Sequence, residues 1–211
     1  MRLLQLASPT LPVGAYAYSD GLETAVDRGW VADEAAALGW IRGRLCHQIA
    51  YTDLPVLARL MAGGDADEWA GRLRAMRDSA ETRAADRGMG QALARLLADL
   101  GVAAAERWRT EPSASLVVGF ALAGIAWAIE PRSLVAAYGW AYCEAQVAAA
   151  IKLVPLGQTA GQRVLMALGR ELPDVVDTAL SLGDDDLGAC APLAALASAW
   201  HETQTVRLFR S

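Results

Sequence analysis

The side chains that could hold a metal or attack a substrate are few and scattered. There are two histidines, His47 and His201, and three cysteines, Cys46, Cys143 and Cys190. None belongs to an H-E-x-x-H pair or to a Cys/His cluster with ligand spacing. Cys46 and His47 are adjacent, and adjacent side chains on a helix point in different directions, which makes a poor chelate. Ser19 and Glu23 pair a nucleophile type with a base type, but no histidine is placed by sequence to complete a relay, and a serine near a helix start is ordinarily a cap. No phosphate loop, dinucleotide fingerprint or nucleophile elbow is present, and Lys152, the only lysine, precedes Pro155 rather than following a glycine-rich turn. The chemistry predicted from these residues is none: no catalytic residue, no metal site and no cofactor bound by the chain itself.

The elements around these residues read as helices throughout. Leu38, Ile41, Leu45 and Ile49 recur at three- and four-residue spacing after Asp33, and Pro55 interrupts a pattern that Leu57, Leu60 and Met61 resume before Gly63 and Gly64 stop it. Asp65 and Glu68 form a capping-box pattern ahead of Trp69, Leu73 and Met76. Ser79 caps the clearest amphipathic helix, whose stripe of Met89, Leu93, Leu96, Leu97 and Leu100 ends at Gly101. Further helices are predicted over 156–169, from Pro173 to Leu182, and from Pro192, with an acidic turn at Asp184–Asp186 between the last two. No polar–apolar alternation flanked by hairpin turns occurs, and no repeat or composition shift marks a boundary. The predicted fold is all-α, a single domain over residues 1–211 of about ten helices with flexible N- and C-terminal segments.

Composition narrows the function classes. Hydrophobic residues make up 54% of the 211 and charged residues 20%, which argues against disorder and for much buried or partner-facing apolar surface. A net charge of -5, with arginines interspersed among carboxylates, excludes a footprint for nucleic acid. The charge-free stretch 114–129 has sixteen residues and would span about 24 Å as a helix, short of the roughly 30 Å hydrocarbon core, so it reads as a buried helix rather than a membrane span. Widely spaced cysteines and the lack of an export segment in the first residues point to the cytoplasm. A small helical membrane protein and a generic helical interaction module are the competing readings.

One segment stands apart: Leu11-Pro-Val-Gly-Ala-Tyr-Ala-Tyr-Ser-Asp-Gly-Leu-Glu23, dense in aromatics and turn formers. It strongly resembles the opening signature of the urease accessory proteins called UreF. Three further blocks agree in order: Arg87-Gly-Met-Gly-Gln-Ala-Leu-Ala-Arg-Leu96 with that family's central helix, Leu153-Val-Pro-Leu-Gly-Gln158 after Lys152 with its later signature, and His201 to Ser211 with its C-terminal tail. The resemblance spans essentially the whole chain. One departure is Ala15, where the family often carries a second glycine.

The resemblance implies an all-helical, dimerising, non-catalytic protein that binds the D-type accessory protein, called H in some species, together with the GTPase UreG and apo-urease. The assembly inserts nickel in a GTP-dependent process, with nickel and GTP handled by the partners. Carried over, Ser19 and Glu23 fall on a surface facing the GTPase, Lys152 near the dimer interface, and Arg207, Leu208, Phe209 and Arg210 on the docking site for the D/H-type subunit. Residue types alone leave plainer roles open: Glu23 at a helix start, Lys152 snorkelling at a helix end, and the tail packed on its own domain. A tail this short is expected to be mobile alone and fixed where a partner buries Leu208 and Phe209.

Overall fold

The computed structural model describes residues 1–210. Among them are ten α-helices and no strand: α1 (Arg2–Leu6), α2 (Leu22–Asp27), α3 (Glu34–His47), α4 (Asp53–Met61), α5 (Ala66–Ala75), α6 (Ala80–Asp99), α7 (Leu116–Ala126), α8 (Pro131–Leu153), α9 (Gln158–Ser181) and α10 (Pro192–His201). The protein is all-α, as its periodicity predicts.

The helix starts follow from local chemistry. Asp33 accepts from the Ala36 N–H at 2.8 Å and opens α3. Asp65 takes the Asp67 and Glu68 N–H groups at the head of α5, but Glu68 turns to Arg72 at 2.7 Å instead of reaching back, so only half of the expected box forms. The reciprocal box lies at Ser79 and Thr82, at the start of α6. Glu130 caps α8, with Pro131 in the first turn where its missing N–H matters least. Pro55 likewise sits in the first turn of α4, after a short 3-10 turn at Ile49–Tyr51, so it begins a helix rather than interrupting one.

Pro173 was expected to start a helix and instead lies inside α9. Its ring is on the exposed face, where the carbonyl it leaves unpaired can meet water. Leu165, Leu168 and Leu172 before it, and Val175, Val176 and Ala179 after it, form one continuous buried stripe. Packing of that stripe overrides the local break.

The core is built around α4, whose Leu54, Val56, Leu57 and Leu60 are buried between α7, α8 and α9. The charge-free stretch is α7, with Val117, Val118, Phe120, Ala121 and Ala123 buried and the Phe120 ring edge-on to Tyr138 at 5.0 Å. Among the described residues no helix is long and apolar enough to cross a membrane. Both ends, expected as flexible, are packed: Leu6 of α1 and Phe209 of the tail are buried in this same core.

Candidate functional site

The C-terminal tail folds back over the first signature. After α10 ends at His201, a turn carries the chain so that the Leu208 and Phe209 N–H groups donate to the two oxygens of the Glu23 carboxylate, at 2.6 and 2.9 Å. The Arg210 N–H donates to the Ala17 carbonyl at 2.8 Å, and the Thr24 hydroxyl to the Gln204 side chain at 2.9 Å. The imidazole of His201 is fully buried, with Nε2 3.2 Å from Glu23 and Nδ1 2.6 Å from Glu81. A ring protonated on both nitrogens donates to both carboxylates, and either neutral tautomer to one. Arg207 completes the cluster, pairing with Glu81 at 2.6 Å and donating to the Gln204 and Glu202 carbonyls.

The local backbone explains why the signature can receive a tail. Gly14, Asp20 and Gly21 all adopt positive φ, which bends the segment into the start of α2. At Gly21 a Cβ would come within 3.2 Å of the Ala194 carbonyl and the Ser198 N–H, so the glycine lets α10 lie directly on the turn. Ala15 starts a 3-10 turn and is not among the positive-φ residues, so this position does not require glycine here. Ser198 and Ser79 join hydroxyls at 2.7 Å, fixing α10 to the start of α6.

All four blocks that carry the family resemblance meet here. The first signature supplies Glu23 and Ala17, and the tail supplies the donors. Lys152, in the last turn of α8, sets its ammonium 5.6 Å from the centre of the Phe209 ring, a cation–π contact. The central helix joins through Gly88, where a Cβ would stand 3.4 Å from the Tyr18 hydroxyl, while Gly90, where one would lie 2.5 Å from the Ser115 backbone, seats the same helix against the start of α7. At Gly90 any side chain would have to push the neighbouring backbone away.

Two sequence-based expectations are corrected. Ser19 and Glu23 do not form an open surface: Ser19 is fully buried, with its hydroxyl accepting from the Glu23 N–H, and Glu23 is 7% exposed under the tail. The tail does not wait for a partner to fix it, since Phe209 is 5% exposed and its backbone is held by a buried carboxylate, a charge-assisted bond stronger than one between neutral groups. Leu208 is 67% exposed and Val206, two residues before it, 82%. Lys152 is exposed at the helix end, and Arg207 is turned inward to Glu81. Ser211 lies outside the described residues.

Sequence reading missed the His201–Glu81–Arg207 cluster, because Glu81 looks like an ordinary first-turn acid of α6. It also missed a buried ion network below the signature. Arg77 bridges Asp53 at 2.7 Å and Asp86 at 3.0 Å, Tyr138 donates to Asp53 at 2.7 Å, and Arg44 pairs with Asp20 at 2.6 Å. Burial would raise the Asp53 carboxyl, but the Arg77 guanidinium and the bonds from Tyr138 and Thr52 outweigh it and hold Asp53 below the usual carboxylate range. A cavity of about 200 Å³ separates part of this network from the signature. Of the cysteines, burial pushes the Cys143 thiol up to about 12 and raises Cys46 too, so both remain thiols rather than thiolates. His47 faces solvent beside Cys46, whose sulfur is 3.7 Å from Glu171.

The fold and this junction define an all-helical protein closed by its own C-terminus, with its distinctive motifs gathered at one place. Comparison with known proteins carries this further. The family model described as UreF matches residues 31–169. The urease accessory protein UreF of Alkalilimnicola ehrlichii is 49% identical over 216 residues, covering all of this chain and 95% of the relative. That of Pseudomonas putida is 46% identical over 217 residues, covering all of this chain and 97% of the relative, and the urease accessory protein UreF 2 of Brucella anthropi is 43% identical over 220, covering all and 96%. This chain belongs to the UreF family of urease accessory proteins.

Proposed function

We propose that this chain is a non-catalytic assembly factor for urease in the cytoplasm, bridging the D/H-type accessory protein and the GTPase UreG during GTP-dependent nickel insertion into apo-urease. It binds no cofactor of its own in this reading, and nickel and GTP stay with the partners. The observation that carries the reading is the exposed apolar edge of a fixed tail. Val206 and Leu208 face solvent on either side of Arg207, while Glu23 and the buried Phe209 hold the segment in place. A preorganised edge binds without a large ordering cost, which suits docking of the D/H-type subunit. Glu23 then influences the GTPase through the position of the tail rather than by direct contact. A homodimer through the face bearing Lys152 belongs to the same proposal.

Co-purification with the D-type partner and apo-urease tests it, with GTP turnover and urease nickel content as readouts. Leu208→Glu is expected to abolish capture of the D-type partner while the isolated chain melts as wild type. A folded wild-type chain that fails to associate with the D-type partner refutes the assignment.

A further inference from the structure

A groove of about 150 Å³ runs between the end of α5, the first turns of α6 and the loop at 112–114. Its charged lining is Arg74, Arg77, Arg83 and Arg87, with a single carboxylate, Asp86. Asp86 is already satisfied: one oxygen takes Arg77, and the other takes the Ser115 hydroxyl and the Leu116 N–H. Arg77 is in turn bound to Asp53 and Asp86. One guanidinium against two carboxylates leaves the inner group with no positive charge to spare, and the groove's positive charge comes from Arg74, Arg83 and Arg87, all exposed.

None of these three has an ion-pair partner among the described residues, and the one hydrogen bond their side chains make is from Arg83 to the Arg77 carbonyl at 3.0 Å. Elsewhere this acidic chain pairs most of its arginines, among them Arg42 with Glu171, Arg107 with Asp67, Arg132 with Asp177 and Arg163 with Glu34, whereas Arg95 and Arg170 stand exposed without an ion pair among the described residues, each outside the groove. Arg2 and Arg28 lie over indole rings. Arg83 and Arg87 also stand four apart on α6, a spacing at which like charges disfavour the helix. Apart from that one bond, three guanidiniums without an ion-pair partner round one groove bring the fold no internal benefit.

The available donors define the ligand. Of the backbone N–H groups at the start of α6, which could cradle a phosphate, three are taken: Ala80 by Glu202, Thr82 by the Ser79 hydroxyl and Arg83 by the Ser79 carbonyl. What the groove offers is guanidinium forks on long, exposed stems, a geometry that pairs with carboxylates as readily as with phosphates. We propose that this groove docks an acidic segment of a partner protein, whose Asp or Glu side chains bridge Arg74 on one wall and Arg83 and Arg87 on the other. The proposal is independent of the tail and of the urease assignment.

The test is fluorescence anisotropy of a labelled hexa-aspartate peptide titrated with the full chain at low ionic strength. Wild type is expected to bind, and raising salt from about 50 to 200 mM to weaken binding. The triple variant Arg74→Gln/Arg83→Gln/Arg87→Gln is expected to bind about tenfold or more weakly with an unchanged melting temperature. Arg95→Gln/Arg170→Gln, which removes two exposed arginines outside the groove, is expected to bind as wild type. The single variants Arg74→Gln and Arg87→Gln, each expected to weaken binding, keep the test decisive should the triple variant misfold. Equal binding by the groove variants, or binding of inorganic pyrophosphate with none of the peptide, overturns the proposal.

Discussion

The replacement Phe209→Ala separates a packed tail from a free one. The ring is 5% exposed, lies in the main core and carries the Lys152 ammonium on its face. Truncating a buried Phe to Ala costs about 3–5 kcal/mol, and a site near a chain end can partly collapse, which places this variant near the lower limit, about 3 kcal/mol. At roughly 2–4 °C per kcal/mol for a chain of this size, the melting temperature should fall by about 6–12 °C. Leu208→Ala, one residue away, removes a side chain that is 67% exposed and should cost no more than about 0.5 kcal/mol, a shift below about 2 °C. Removing residues from 207 onward should be worse than Phe209→Ala, because the buried Glu23 carboxylate then also loses the two N–H donors that satisfy it. For a tail mobile in the isolated chain, as its short length led us to expect, this truncation would barely change stability, and the packing of Phe209 reverses that expectation. The assay is thermal unfolding by circular dichroism and calorimetry on the three variants at one protein concentration. If Phe209→Ala melts within about 2 °C of wild type, the tail is not part of the core and the reasoning fails.

Glu23→Gln puts an amide NH₂ against one of the two backbone N–H groups it now accepts, so a loss of about 2–3 kcal/mol is expected, with faster carboxypeptidase trimming of the tail; wild-type trimming and stability would return Glu23 to a simple helix-start role. Because Asp53 is held below its ordinary value, its contribution is present above about pH 4 and is lost as pH falls through the lower folded value. Asp53→Asn should therefore flatten the acid limb of a urea-unfolding series from pH 3 to 7, and an unaltered limb would remove Asp53 as its source. Gly90→Ala gains up to about 1 kcal/mol of helix propensity but sets a Cβ 2.5 Å from the Ser115 backbone, which cannot rotate aside. A net loss of roughly 1–3 kcal/mol is expected in chemical denaturation, and a stabilised variant would contradict the close approach of α6 to the start of α7.

The residues of α6 show how far sequence reaches. Ser79 as its cap, the stripe through Leu93 and Leu97, and Gly101 as its end are all local facts, set by backbone hydrogen bonding and a 3.6-residue period, and they appear as read. The same local rules placed the cap at Asp65 and the start of α10 at Pro192. They failed at Pro173, where burial of Leu172 and Val175 on one stripe outweighs a missing hydrogen bond on the exposed side. The motifs of the site were visible as four separate blocks, but nothing in their order indicated that they touch. Glu23 and Phe209 are 186 residues apart, and Glu81 and His201 are 120 apart. Residue type made Glu23 look like a surface acid and the tail look mobile, because a carboxylate and a short segment are both normally solvated. Only the tertiary structure supplies the two backbone donors and the imidazole that satisfy a buried carboxylate, and with them the reason the tail is held against the first signature.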